Sequence, residues 1–266
     1  RFVSDYFKSE KANLVNAIRS LVNDKRGYTD SRLLQEMCAA EPYGVPRLGS
    51  QEAAEAIQPQ KLYTSYRKAI SSSRLEIFYS GSAEHIRLEQ ALLSAFSTLP
   101  RETVAEIPSA VCHVPADEPR YLTESLDVTQ GKLGIGFSCD SEDHIALMFG
   151  NTLFGGSSNS KLFLNVREKL SLCYYASSVY HRQKGMITVS SGIEFTDYQR
   201  ALDEILAQLA AVQNGALEDW ELEAARSSLL NAYASMGDSQ GRMENFSLGQ
   251  IATGRNETPE ELAAQV

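Results

Sequence analysis

Arg167 and Tyr174, with six residues between them, form the pair in this 266-residue sequence best suited to chemistry. A guanidinium fork late in a helix and a phenol at the head of the next strand are both hydrogen-bond donors. Brought together, they suit a peptide carbonyl or a developing oxyanion. The stretch before them, "FGGSSNSKLFLNVREK", places Gly155, Gly156 and Asn159 in a loop that opens the helix. It is no phosphate cradle of the Walker type, because Lys161 follows Ser160 and precedes Leu162, so no glycine lets the backbone close on a phosphate. "GKLGIG", Gly131 to Gly136, has its glycines in the wrong order for a dinucleotide site and sits inside a strand. On residue chemistry alone, the loop reads as helix capping by Asn159 or Ser160, and the pair as an exposed structural Arg with an interfacial Tyr.

The remaining composition excludes several functions. The formal charge is -9, with 34 acidic against 25 basic residues, which argues against nucleic-acid or anionic-membrane partners. His85, His113, His144 and His181 are the only histidines, and none begins H-x-x-E-H. His85 has Glu89 four positions on and reads as a solvated helix face rather than a metal site. Cys38, Cys112, Cys139 and Cys173 form no C-x-x-C pair and read as reduced thiols, so the expected compartment is the cytoplasm. No stretch resembles a signal peptide or a membrane span.

The positioning elements follow from periodicity. Helices are expected over residues 5–23, 30–41, from Pro59, over 82–100, 141–154, 161–170, 198–214, 218–236 and 241–253. Strands are expected at 74–81, 121–128 and "GKLGIGFSC", and a hairpin is expected from "LCYYASSVY", "HRQKG" and "MITVSSGIEF". The mixed order predicts an α+β two-layer fold. The polar connection "RETVAEIPSA" places a boundary between residues 1–103 and 104–266. Arg1 in place of Met, and Thr258-Pro259 opening a further helix, lead to the expectation that the chain is a piece of a longer protein.

At "FGGSSNSKLFLNVREKLSLCYY" the sequence resembles the M16 (pitrilysin, or insulinase) family of metallopeptidases, the inverzincins. The likeness is good over residues 120–195. "SEKANLVNAI", "EPYGVPRLGSQEAAEAI", "LYTSYRKAI" and "IFYSGSAEHI" are similar to the end of the family's first half-domain. The resemblance implies two related α+β half-domains, the first incomplete here, closing around an extended peptide. It also implies that Arg167 and Tyr174 bind the peptide backbone and that Gly155, Gly156 and Asn159 shape the peptide site.

Active members hold zinc with the two His of H-x-x-E-H and a downstream Glu. Here Asn16 and Ala17 stand where that third ligand would be. Ala has no donor atom, and Glu10 and Asp24, the nearest carboxylates, lie off the register that buries Leu14 and Ile18. The chain therefore resembles the catalytically silent bacterial relatives, which are often encoded beside an active partner. The expectation is an inactive homologue with no catalytic residues, no metal and no cofactor. It would bind peptide or unfolded polypeptide, or pair with an active M16 subunit or a second copy. The alternatives are a zinc endopeptidase whose motif lies upstream of Arg1, and a purely structural subunit.

Overall fold

The computed structural model describes residues 2–104 and 118–266. In chain order its helices are α1 (Ser4–Ser20), α2 (Lys25–Met37), α3 (Gln51–Ala56), α4 (Pro59–Ser72), α5 (His85–Phe96), α6 (His144–Asn151), α7 (Tyr198–Gln213), α8 (Asp219–Ala234), α9 (Gln240–Ala252) and α10 (Pro259–Ala263). The strands are β1 (Gly131–Ser138), β2 (Cys173–His181) and β3 (Met186–Ile193). The architecture is α+β, rich in helix, with a small antiparallel sheet. The chain divides into two compact units, Arg1–Ser20 with Arg47–Ser109, and Leu21–Pro46 with Ala110–Val266. Most of the expected connection at 101–110, together with Cys112 and His113, lies outside the described residues.

In the first unit, α1 is tied to the end of α3 by Lys11, whose Nζ donates to the carbonyls of Glu55 (2.5 Å) and Ile57 (3.1 Å). Arg19 pairs with the Glu55 carboxylate at 3.0 Å. Residues 74–81 do not form the expected strand. Their apolar side chains are exposed, Ile77 and Tyr79 to 49% and 48%, and no described segment offers them a ladder. A strand exists only where a second backbone takes up its N–H and C=O groups, and the described elements of this unit are helices.

In the second unit the sheet order is β1-β3-β2. Residues 121–128, also expected as a strand, run exposed and unpaired before β1. The period of two along β1 and β3 divides the faces. Leu133, Ile187, Val189 and Ile193 enter a core with Phe154, Leu162, Val166, Ala201 and Ile205. The alternate positions face α2, where Met186 Sδ lies 3.8 Å from Cys38 Sγ. Gly136 explains one glycine of "GKLGIG": a Cβ there would stand 1.9 Å from Met37 Sδ, so the Met37 side chain of α2 packs into the space a side chain would take. Helix α2 starts earlier than periodicity suggested because Asp24 caps it, accepting from the Gly27 amide at 3.0 Å.

The expected ending is present. Thr258 Oγ1 accepts from Glu261 N (3.2 Å) while Glu261 Oε2 accepts from Thr258 N (2.8 Å), a reciprocal cap with Pro259 in the first turn. No helix among the described residues is long and apolar enough to cross a membrane.

Candidate functional site

The segment between Arg167 and Tyr174 departs from regular geometry three times in succession. Leu162–Lys169 winds as a π-helix, a rare form associated with functional sites. It unwinds through Leu170 N to Asn165 O (3.1 Å), Ser171 N to Arg167 O (3.1 Å) and Leu172 N to Val166 O (3.0 Å). Ser171 turns the chain at φ 50°, the only non-glycine residue with positive φ among those described. That conformation costs an L-residue about 1–2 kcal/mol. The strand then begins with a bulge, in which Cys173 opposes Ile193 and Tyr175 opposes Gly192, leaving Tyr174 without a partner. A bulge re-aims the side chain it carries.

The bulge also breaks the inside–outside alternation of β2. Cys173 and Ala176, three apart rather than two, both enter the core, whereas Tyr175 and Ser177 face α2. Arg26 stacks on the Tyr175 ring at 4.4 Å and donates to Ser177 Oγ at 2.9 Å. Tyr174 is left 59% exposed, its hydroxyl donating to Glu194 Oε1. The carboxylate that accepts this hydrogen holds the phenol protonated above its ordinary range. Arg167 is 40% exposed, lies over the Phe163 ring at 4.7 Å and pairs loosely with Glu168 at 3.5 Å. Burial pushes the Cys173 thiol up, while Ser191 and the charge of Arg167 pull the other way, so the guanidinium acts electrostatically on the residue next to Tyr174.

The loop residues divide by role. Gly155 is buried against β2: a Cβ there would lie 2.6 Å from Ser178 Oγ and 2.7 Å from the Ser178 amide nitrogen. Gly156 and Asn159 are exposed. The cap is Ser160, fully buried, whose Oγ accepts from the Phe163 amide at 3.4 Å. Lys161 is held in a buried pair with Glu221, at 2.9 and 3.0 Å from its two carboxylate oxygens.

Residues 16 and 17 lie on the exposed side of α1. Asn16 borders a groove of about 410 Å³ with Phe7, Lys8, Lys11, Ala12, Val15 and Arg19. Three cations, no carboxylate and an alanine do not fit a zinc ligand set. Asp24 is engaged as the cap of α2. Among the described residues no group of three or more His, Cys, Asp and Glu could hold a metal ion.

Glu194 was missed by residue chemistry, although the hairpin carried the signal. Pairing His181 with Met186 and counting outward without a bulge brings Tyr174 opposite Ile193 and Cys173 opposite Glu194, which already puts that carboxylate beside the Tyr-Tyr pair. Ser171 carries no comparable mark in the sequence.

Comparison with known proteins adds the following. A family model described as "Peptidase M16 inactive domain" matches residues 56–229. The chain is 34% identical, over 98% of its length and 61% of the relative's, to a "Probable inactive metalloprotease" of Bacillus subtilis (strain 168). It superposes with a TM-score of 0.87 and 28% identity on the crystal structure of a conserved protein from Enterococcus faecalis V583, covering 99% of this chain and 63% of that one. A peptidase M16 inactive domain from Pseudomonas fluorescens shares the fold, with a TM-score of 0.72, 17% identity and coverage of 99% and 67%. The chain thus spans about three-fifths of the length of the Bacillus relative.

Proposed function

We propose, from the premise that this chain belongs to the peptidase M16 family, that it holds an extended peptide and does not cut it. The observation that carries this reading is the display of Tyr174. A strained Ser171 and a bulge together lift a large aromatic side chain out of the ladder into solvent, and Arg167, on the helix that precedes it, is also partly exposed. Strain of this kind persists where surrounding structure enforces it, and it collects at ligand clamps. The sheet gains no burial from the exposed ring, whereas a peptide backbone would gain a guanidinium as donor and a phenol oxygen as acceptor. On this reading residues 1–103 belong to one half-domain and 104–266 to the second, with residues 21–46 packed against the second's sheet.

Two observations support the absence of cutting. Ala17 carries no donor atom and Asn16 borders a groove with three cations, so neither supplies the third zinc ligand, and the Bacillus relative is itself described as probably inactive. The test is fluorescence anisotropy with labelled unfolded polypeptide, paired with mass spectrometry for cleavage with and without added zinc. Intact peptide, bound by the native protein and at least tenfold more weakly by the Arg167→Ala, Tyr174→Phe double variant, is the expected result. Zinc-dependent, chelator-sensitive cleavage would instead establish a working endopeptidase. Unchanged affinity in the double variant would remove the pair from the binding site.

A further inference from the structure

Beyond backbone contact, the same end of the sheet contains a carboxylate with no cationic partner. Glu194 is the first residue past β3, and the bulge brings Tyr174 beside it, so its Oε1 accepts the phenol hydrogen. Its Oε2 accepts no hydrogen bond and no cation pairs with it among the described residues. By contrast, Glu41, Glu124, Glu221 and Glu257 each have a Lys or Arg partner. Phe195 follows directly and is 60% exposed, its ring edge 3.5 Å from where a Cβ on Gly131 would stand. An unpaired carboxylate is therefore hydrogen-bonded to one aromatic side chain and followed in the chain by another, each more than half exposed.

The neighbouring charges leave this arrangement negative. Arg167 is paired with Glu168 and stacked on Phe163. Lys132 lies toward the Tyr175 ring, at 5.6 Å, and donates to Gln130. Resting on the peptide-holding reading above, we propose that Glu194, Tyr174 and Phe195 form a subsite for a cationic nitrogen of the bound peptide, a Lys or Arg side chain or a free amino terminus. The free oxygen supplies a charge-assisted hydrogen bond, the rings supply cation–π attraction, and the net charge of -9 raises the local concentration of basic peptides.

The experiment compares three labelled peptides of equal length on the native protein: acetylated with an internal Lys, acetylated with Ala at that position, and the Ala peptide with a free amino terminus. The Lys peptide is expected to bind about tenfold more tightly than its acetylated Ala twin at low salt, with the ratio falling as salt rises. Preference for the third peptide over the second would assign the subsite to the amino terminus instead of the side chain, within the same proposal. Glu194→Gln keeps an oxygen to accept the Tyr174 hydrogen and is expected to bring the Lys-to-Ala ratio close to one. Equal binding of all three peptides by the native protein, or a ratio that survives Glu194→Gln, would overturn the subsite while leaving the peptide-holding reading in place. Failure of every peptide to bind would overturn both.

Discussion

Lys161 and Glu221 form a buried ion pair, the ammonium nitrogen 2.9 Å from one carboxylate oxygen and 3.0 Å from the other, with the side chains 10% and 7% exposed. Glu221 Oε2 also accepts from the Glu218 amide at 2.9 Å, so one carboxylate joins the head of the π-helix to the start of α8. Removing one partner strands a buried charge. Lys161→Met should therefore destabilise the fold by about 3–5 kcal/mol, and the double variant Lys161→Met, Glu221→Leu by much less. Urea denaturation of the three proteins measures this. Equal losses in the single and double variants would show that packing dominates, not the pair.

Ser171 links stability to display. Ser171→Gly relieves the positive φ and should raise stability by up to about 1 kcal/mol, offset in part by the greater freedom of glycine in the unfolded chain. The freer backbone should also hold Tyr174 less firmly, so peptide affinity should fall while the melting temperature holds or rises. A variant that is both more stable and an equally strong binder would detach the strain from function.

Gly155 tests the packing of the loop. Gly155→Ala presses a methyl onto the Ser178 backbone nitrogen, which cannot swing aside as a side-chain end could. A loss of about 1–3 kcal/mol is expected. The matching change at exposed Gly156 meets the Asn151 side-chain nitrogen at 2.9 Å and its backbone oxygen at 3.0 Å, a looser fit than the 2.7 Å backbone contact at Gly155, and should cost less. Thermal melts of the two variants would separate them.

Acid sensitivity should follow from two histidines. His181 accepts or donates to Thr188 Oγ1 at 2.9 Å and Tyr43 Oη at 3.4 Å, and burial lowers its pKa while Asp30 opposes the shift. His144 lies 2.6 Å from Tyr180 Oη and is lowered by burial, then by Arg255 and Arg182, with Asp143 and Glu142 opposing. A lowered pKa means that the unfolded chain binds the proton first. Stability is therefore complete above about pH 6.5 and is lost as the pH falls from there toward the lowered value. Denaturation midpoints between pH 8 and 5 should drop, and His181→Gln should flatten the drop. A profile unchanged by His181→Gln would assign the sensitivity elsewhere.

Zinc content distinguishes the silent from the active reading. The native protein, purified without a metal-binding tag, should contain close to no zinc. One zinc per chain would show that a ligand other than residue 17 completes the site.

Much of the fold was legible from spacing. The helices α1, α4, α7 and α8, the Pro259 start of α10 and the hairpin around residues 181–186 follow from local periodicity and turn chemistry, although Leu62 and Tyr66 of the apolar face expected for α4 are exposed. The family resemblance rested on residues 154–175 and agrees with the matched family model. Residues 74–81 and 121–128 have strand-like composition without being strands, because composition reports what a side chain tolerates and not whether a second backbone is present to pair. The cap could be narrowed only to Asn159 or Ser160, since choosing between them requires the direction in which the loop enters the helix.

The sequence by itself determined most of the helices and the hairpin, the acidic balance, the presence of Arg167 and Tyr174 at their spacing, and alanine at position 17. These are properties of residue type and local order. Only the tertiary structure decided that Ser171 turns left-handed, that Tyr174 is the unpaired residue of a bulge, and that Glu194 meets it without a cation of its own. Each of these arises where two segments distant in sequence must match hydrogen bonds and volume, and that match is not encoded in either segment alone.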